Sequence, residues 1–201
     1  MQGELVRAGQ LRPPETRPEE RLRPDRLRSD CPVLLSQSLV LRAPHEDDID
    51  ALAHLANNAN IATMVSRMPH PYTSKDAADF VRRTNAGEIG KCVYAVTRAD
   101  NGQFLGCCAL EPQIDERTLE IGYWLGEAHW GQGFAAEALQ ALLAAVGHLP
   151  GFATVDARVL QSNPASVRVL EKAGFVIIEH TTSVVERHRG KPVLVLRWTA
   201  P

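Results

Sequence analysis

The chain has 201 residues, a formal net charge of −2 and 44% hydrophobic residues. This length suits one domain plus an extension, with enough apolar residues for an ordinary core. The near-neutral charge gives no electrostatic basis for binding nucleic acid. The chain lacks the run of roughly eighteen apolar residues that a transmembrane helix needs, so no membrane partner is expected. The first residues carry no apolar signal-peptide core, and we therefore expect a cytoplasmic protein.

Residues 1–33 differ in composition from the rest of the chain. They hold seven arginines, six acidic residues and five prolines, with few apolar anchors. This composition predicts a flexible extension, and residues 34–201 are expected to form the folded domain. The near-balanced charge of the extension argues against strong attraction to phosphate.

Strand and helix patterns alternate along the remaining sequence. Period-two alternation and β-branched residues predict seven strands at residues 39–42, 92–97, 103–110, 118–125, 154–160, 175–180 and 193–198. Helical spacing and capping residues predict four helices at residues 47–57, 73–83, 134–146 and 165–172. The turn Asp100-Asn101-Gly102 joins two of the strands as a hairpin. This order predicts an α/β fold, in which a mixed sheet carries helices on both faces.

The most informative segment is LEIGYWLGEAHWGQGFAAEA, residues 119–138. A buried strand leads to a turn containing Gly131, Gln132 and Gly133, and a helix follows. Such a turn directs free backbone N–H groups and the positive end of a helix dipole at one point, which suits a phosphate. Glycine can also serve here only to bend the chain. Gly131, Gly133 and Ala136 satisfy a dinucleotide-binding spacing too, but residues 127–130 separate them from the strand, so a nicotinamide cofactor is not expected.

A second segment, NPASVRVLEKAGF at residues 163–175, distinguishes these possibilities. Together with W-G-Q-G-F-A it resembles the GNAT superfamily of acetyl-CoA-dependent N-acetyltransferases, whose pyrophosphate loop reads Q/R-x-x-G-x-G/A. Trp130, Gly133 and Ala135 occupy the defined positions of that loop, with Trp130 in place of the usual Gln or Arg. This departure and the strand EIGYWL are similar to the RimJ/RimL-type branch, the ribosomal-protein N-terminal acetyltransferases. The resemblance covers about residues 36–198.

The resemblance implies both a fold and an acetyl-CoA site. The GNAT-like fold is a mixed, mostly antiparallel sheet of about seven strands, splayed at the central strand. Backbone groups of that strand would bind the pantetheine arm, and the Leu125 amide would face the developing oxyanion. The glycine turn would hold the pyrophosphate, while Asn163 would contact CoA as well as cap its helix. The expected CoA-binding residues are Tyr123, Trp124, Leu125, Gly131, Gln132, Gly133, Phe134, Ala135, Ala136, Asn163 and Ser166.

Three residues are candidates for acid–base catalysis. Many relatives place a tyrosine seven residues after the asparagine, where this chain has Leu170, and the RimL-type branch implies Ser166 as the donor to the CoA thiolate. Glu120, on the central strand, is the first candidate for a general base acting through water. Glu186, near the position of a catalytic glutamate in RimL-type enzymes, is the second. A helix serine bonded to its own turn and an ordinary loop carboxylate are the structural alternatives.

The expected reaction is transfer of an acetyl group from acetyl-CoA to a primary amine, by direct attack in a ternary complex. A protein or peptide N-terminal α-amine is the favoured acceptor, because its reference pKa near 8 is well below that of lysine, near 10.4. Acetylation of a polyamine, an amino acid or an aminoglycoside is an alternative, as is a non-catalytic CoA-binding module. Residues 57–83 and 183–191 are expected to shape the acceptor pocket. A monomer and a homodimer are both compatible with the sequence.

The cysteines and histidines suggest neither a redox nor a metal site. Cys31, Cys92, Cys107 and Cys108 form no C-x-x-C pair, and reduced, mostly buried thiols are expected. Cys107 and Cys108 are adjacent on one strand and have no nearby base in sequence, so a covalent thiol intermediate is not favoured. The seven histidines show no metal-ligand spacing, and no metal is expected.

Overall fold

The computed structural model describes residues 31–90, 92–113, 118–147 and 154–200. The predicted flexible extension, apart from its last three residues, lies outside the described residues. None of the described helices is both long and apolar enough to cross a membrane.

Within the described residues, one sheet of eight strands carries five α-helices. The strands are β1 (Leu34–Leu35), β2 (Leu39–Arg42), β3 (Cys92–Arg98), β4 (Phe104–Pro112), β5 (Thr118–Leu125), β6 (Thr154–Leu160), β7 (Val176–Thr182) and β8 (Pro192–Thr199). The helices are α1 (Ile49–Ala56), α2 (Ala59–Ala62), α3 (Ser74–Asn85), α4 (Phe134–Val146) and α5 (Pro164–Lys172). Single 3₁₀ turns lie at Glu46–Asp48, Glu127–His129 and Glu186–His188.

All seven predicted strands and all four predicted helices are present. The sequence did not predict β1 and α2, because elements of two and four residues are too short to show a period. Thr73 caps α3 as expected, since its side chain accepts a hydrogen bond from the Asp76 N–H.

The sheet opens between its two parallel strands. The strand order is β1-β2-β3-β4-β5-β6-β8-β7, and every neighbouring pair is antiparallel except β5 and β6. These two pair only where residues 118–120 meet residues 154–156, so they separate toward their carboxyl ends. The predicted GNAT-like splay at the central strand is confirmed, and β5 has backbone groups facing a gap along its second half.

Alternate residues of β5 contribute to two cores on opposite faces of the sheet. Leu119, Ile121 and Leu125 belong to the larger core with α4 and α5, and Tyr123 packs against it. Trp124 packs against the smaller core, which α1 and α3 build with β3 and β4. The prediction of helices on both faces is therefore correct. Each fully buried leucine of these cores contributes about 1.5–3 kcal/mol.

The prediction of four reduced cysteines is wrong for two of them. Cys31 and Cys92 form a disulfide across a sequence separation of 61 residues, with their Cα atoms 5.7 Å apart. The residues meet because β1, β2 and β3 are neighbours in the sheet, a pairing that cysteine spacing does not reveal. Cys107 and Cys108 are free and buried as expected, and burial raises the pKa of both thiols.

Candidate active site

The carboxyl end of β5 directs backbone groups into the gap. The Gly126 N–H donates to the Leu105 carbonyl of β4 at 2.8 Å. Because hydrogen-bonded and non-bonded residues alternate in antiparallel pairs, the Leu125 N–H and C=O turn away from β4. The indole Nε1 of Trp130 donates to that Leu125 carbonyl at 2.8 Å. The Leu125 N–H therefore faces the space between β5 and β6, as the resemblance implied.

The same bond explains why a tryptophan can replace the usual Gln or Arg of the loop motif. Trp130 is 46% exposed, yet its N–H fastens the glycine turn to the end of β5. Gln132 adds a second tie, since its Nε2 donates to the Ala128 carbonyl at 2.8 Å. The segment between β5 and α4 is thus held in place by its own side chains.

The glycine turn is an open cradle of backbone N–H groups. Gly131 and Gly133 have φ of 73° and 90°, in the left-handed region that favours glycine. A Cβ built on either residue meets no atom within 4 Å, so the space in front of the backbone is free. Gly133 precedes α4, and no side chain caps that helix start. The N–H groups of Phe134, Ala135 and Ala136 are therefore suited to a diphosphate, and the turn fits CoA.

Glu137 fixes the start of α4 against the sheet. Its carboxylate accepts hydrogen bonds from the Ser36 hydroxyl at 2.7 Å and the Ser38 N–H at 2.6 Å. The turn between β1 and β2 thereby positions the helix that carries the cradle.

Ser166 and Tyr123 form a hydroxyl pair beside the gap. Asn163 caps α5 by accepting the Ser166 N–H at 3.1 Å, and the Ser166 Oγ lies 2.7 Å from the Tyr123 hydroxyl oxygen. Burial raises the pKa of Tyr123, and its bond to Ser166 opposes that shift only in part. From the sequence, only the backbone of Tyr123 was expected to contribute, by binding the pantetheine arm. Its position one residue before Trp124, and so on the opposite face of β5, is the signal that places it against α5.

Glu120 lies on the other face of β5, at the last paired position before the strands separate. Its Oε2 is 3.3 Å from the Nε of Arg158 on β6, and both side chains are substantially exposed. The structure therefore does not bring Glu120 and Ser166 together. Glu120 lies on one face of β5, and Ser166 lies on α5 against the opposite face, so the two residues flank the opening of the gap from different sides.

Glu186 is the most exposed of the three catalytic candidates. Its side chain is 87% exposed and its Oε2 lies 2.6 Å from the Nη2 of Arg189. It belongs to the 3₁₀ turn within the β7–β8 connection.

A cavity of about 200 Å³ lies where the two predicted acceptor segments meet. Its lining residues are Ala59, Ala62, Thr63, His70, Arg187, His188 and Lys191. Two bonds join the segments, from the Arg187 Nη1 to the Ala62 carbonyl at 2.8 Å and between the His188 Nε2 and the Thr63 carbonyl at 3.1 Å. Burial, followed by the charge of Lys191, lowers the pKa of His188. At neutral pH, His188 is thus uncharged and links the two segments through its bond to Thr63.

This cavity is at the open end of the gap. Asn58 and Asn60, on either side of Ala59, donate to the Glu127 carboxylate just beyond β5. The β7–β8 connection ends at β8, whose Val193 pairs with Leu160 at the end of β6. Within the described ranges, no group of three or more His, Cys, Asp or Glu residues could hold a metal ion.

A sheet opened between two parallel strands, with an N–H cradle at the end of one strand and a cavity beyond it, is the arrangement expected of a CoA-dependent acyltransferase. The acetyltransferase (GNAT) domain model matches residues 38–176, and the chain belongs to this family. It is an acetyl-CoA-dependent N-acetyltransferase, which confirms the predicted enzyme class.

Two relatives illustrate the range of sequence similarity. YkkB of Bacillus subtilis strain 168, an uncharacterized protein, is 30% identical over 165 residues, covering 81% of this chain and 92% of YkkB. The ribosomal-protein-serine acetyltransferase of Escherichia coli K12 is 45% identical over 64 residues, covering 30% of this chain and 34% of that enzyme. This similarity agrees with the RimJ/RimL-type resemblance.

Solved structures confirm the fold. A GNAT-family acetyltransferase from Bacillus anthracis has a TM-score of 0.75 at 18% identity, covering 84% of this chain and 98% of its own. A spermidine N-acetyltransferase from Vibrio cholerae, in complex with CoA and spermine, has a TM-score of 0.68 at 23% identity, covering 82% of this chain and 97% of its own. The structure of AAC(6')-Ib in complex with ribostamycin and CoA has a TM-score of 0.66 at 19% identity, covering 81% of this chain and 94% of its own. Because proteins with different acceptors share the fold, the fold does not determine the acceptor.

Proposed function

We propose that the acceptor is the N-terminal α-amine of a protein or peptide. The observation that carries this proposal is the character of the cavity at the open end of the gap, because none of the described residues that line it carries a carboxylate. A polyamine or an aminoglycoside carries several positive charges, and recognising one requires acidic partners. A peptide α-amine can lose its single charge near neutral pH, since its reference pKa is near 8. The similarity to a ribosomal-protein-serine acetyltransferase supports the same acceptor class.

In this reaction the amine nitrogen forms a bond to the acetyl carbon as the carbon–sulfur bond breaks. The Leu125 N–H would stabilise the carbonyl oxygen, and one such donor is worth about 3–4 kcal/mol. Glu120 would accept the amine proton through water, with Glu186 as the second candidate. Ser166 would donate a proton to the departing sulfur, and Tyr123 would orient its hydroxyl.

Direct transfer is the simpler route in this chain. Cys107 and Cys108 are buried, and burial raises the pKa of each thiol. A buried thiol with a raised pKa forms little thiolate, which is the nucleophilic form. A covalent acetyl-cysteine intermediate is therefore not part of the proposal.

The test is thiol release from acetyl-CoA with a panel of acceptors. The panel contains N-terminal peptides, peptides with a blocked N-terminus and one lysine, spermidine and an aminoglycoside. We expect release with the free N-terminal peptides and mass addition of one acetyl group at the α-amine. Preferential release with spermidine or the aminoglycoside would contradict the proposal. Tight acetyl-CoA binding with no acceptor-dependent release would favour the non-catalytic alternative.

A further inference from the structure

Positive charge is concentrated in residues 183–191, which hold Arg187, Arg189 and Lys191, although the chain as a whole has a net charge of −2. Residues 57–72 contain no aspartate or glutamate, and residues 183–191 contain only Glu186. Glu186 is paired with Arg189, and Arg67 is paired with Glu111 of β4 at 3.1 Å. The charges of Arg187 and Lys191 face the cavity without a carboxylate partner in the part of the chain that the structure describes.

We propose that this cavity binds a carboxylate of the acceptor, so that the enzyme selects amines with an acidic group close to the reacting nitrogen. Arg187 and Lys191 would be its cationic ligands, and His70 would line the same space. The source of the carboxylate is an acidic side chain near a peptide N-terminus or the carboxylate of a free amino acid. The inference deepens the proposed function and rests on it.

A hydrogen bond to the backbone orients the Arg187 guanidinium for such a contact. A guanidinium has five N–H donors in a fixed fork, and one Nη1 bond to the Ala62 carbonyl orients the group from the side of α2. The remaining donors match a carboxylate, which accepts such forks in a bidentate manner. His188 holds the same connection through Thr63, so the Arg187 guanidinium is oriented before the acceptor arrives.

The cavity has room for a small acidic group. Its volume of about 200 Å³ is below the roughly 300–1,000 Å³ of pockets for drug-sized ligands. It accommodates one short side chain. Glu127 bonds to Asn58 and Asn60 next to Ala59 but does not line the cavity.

The experiment compares three peptides that differ only at the second residue: Ser-Glu, Ser-Gln and Ser-Lys followed by one common sequence. For wild-type enzyme we expect kcat/KM to fall in the order Glu, Gln, Lys, with about tenfold between the first and last. Lys191→Glu should reverse the order of the Glu and Lys peptides. Lys172→Glu, a matched charge reversal at the end of α5, should leave the order unchanged. Free glutamate and glutamine as acceptors distinguish a small-molecule source of the carboxylate from a peptide.

The outcomes separate this inference from the proposed function. Equal rates with the Glu and Gln peptides, or a preference that Lys191→Glu does not change, overturn carboxylate binding and leave peptide acetylation intact. Acetylation of free glutamate but of no peptide overturns the proposal of a peptide acceptor and supports carboxylate binding in the cavity. If no acceptor turns over, calorimetric titration of CoA-saturated protein with the Ser-Glu and Ser-Gln peptides decides. Tighter binding of Ser-Glu supports the inference, and equal or absent binding overturns it.

Discussion

The hydroxyl pair of Ser166 and Tyr123 is the feature of single residues that most directly concerns the chemistry. Ser166→Ala removes the proposed proton donor, and we expect kcat to fall about a hundredfold, at the low end of general acid contributions. Tyr123→Phe keeps the ring in the core and removes only the bond to Ser166, so we expect a smaller fall of about tenfold. Acetyl-CoA binding, measured by calorimetry, should change little in both variants.

The pH dependence of these two variants tests the assignment. Burial raises the pKa of Tyr123 above its ordinary value near 10, so its hydroxyl stays protonated between about pH 6 and 9. The ratio of wild-type to variant kcat should therefore be constant across that range. If Ser166→Ala retains wild-type kcat, Ser166 serves only the first turn of α5, where Asn163 already accepts its N–H.

Glu120 and Glu186 compete for the role of general base, and pH separates them. If Glu120 accepts the amine proton, Glu120→Gln should lower kcat/KM about a hundredfold at pH 7. The defect should shrink toward pH 9, because the α-amine with its reference pKa near 8 then deprotonates unaided. Glu179→Gln, which removes an exposed carboxylate from β7, is the matched control. A pH-dependent defect in Glu186→Gln alone would assign the role to Glu186.

At the scale of elements, the glycine turn before α4 should determine CoA affinity. Gly133→Val places a branched side chain in the open space before the helix N–H groups. We expect the Kd for CoA to rise at least tenfold, since one lost charge-assisted hydrogen bond costs about 1.5–3 kcal/mol.

Gly102→Val is a matched control for this prediction. Gly102 also has a positive φ, of 73°, and open space at its Cβ, but it lies in the β3–β4 hairpin. Both variants carry a similar backbone strain, so thermal unfolding should change comparably while only the Gly133 variant loses CoA. An equal loss of affinity in both variants would show that strain, and not the cradle, is responsible.

The elements themselves were predictable because their signals are local. Apolar alternation located β5, and the Gly131-Gln132-Gly133 turn marked the start of α4. The splay and the approximate CoA site followed from the resemblance of two motifs. The Tyr123–Ser166 bond and the cationic wall of Arg187 and Lys191 were not predicted, because each depends on segments far apart in sequence. Sheet order brings those segments together, and a local pattern carries no record of it.

At the scale of the whole molecule, the Cys31–Cys92 disulfide joins a residue three positions before β1 to the first residue of β3. The bond encloses the chain segment that forms β1, β2 and the helices α1 to α3. A link across 61 residues restricts the unfolded chain, and the chain-entropy model assigns about 4 kcal/mol to a loop of this length.

Reduction should therefore destabilise the folded domain without changing its acetyl-CoA site, because neither cysteine lies at the glycine turn or in the gap. We expect dithiothreitol and Cys92→Ser each to lower the free energy of unfolding in urea by up to about 4 kcal/mol. Maleimide labelling of unreduced protein should detect little reaction in the folded state, because Cys107 and Cys108 are buried. After unfolding without reductant it should detect these two thiols alone among the four cysteines. Four reactive thiols in unfolded, unreduced protein would contradict the disulfide. The original expectation of a fully reduced chain would then be correct.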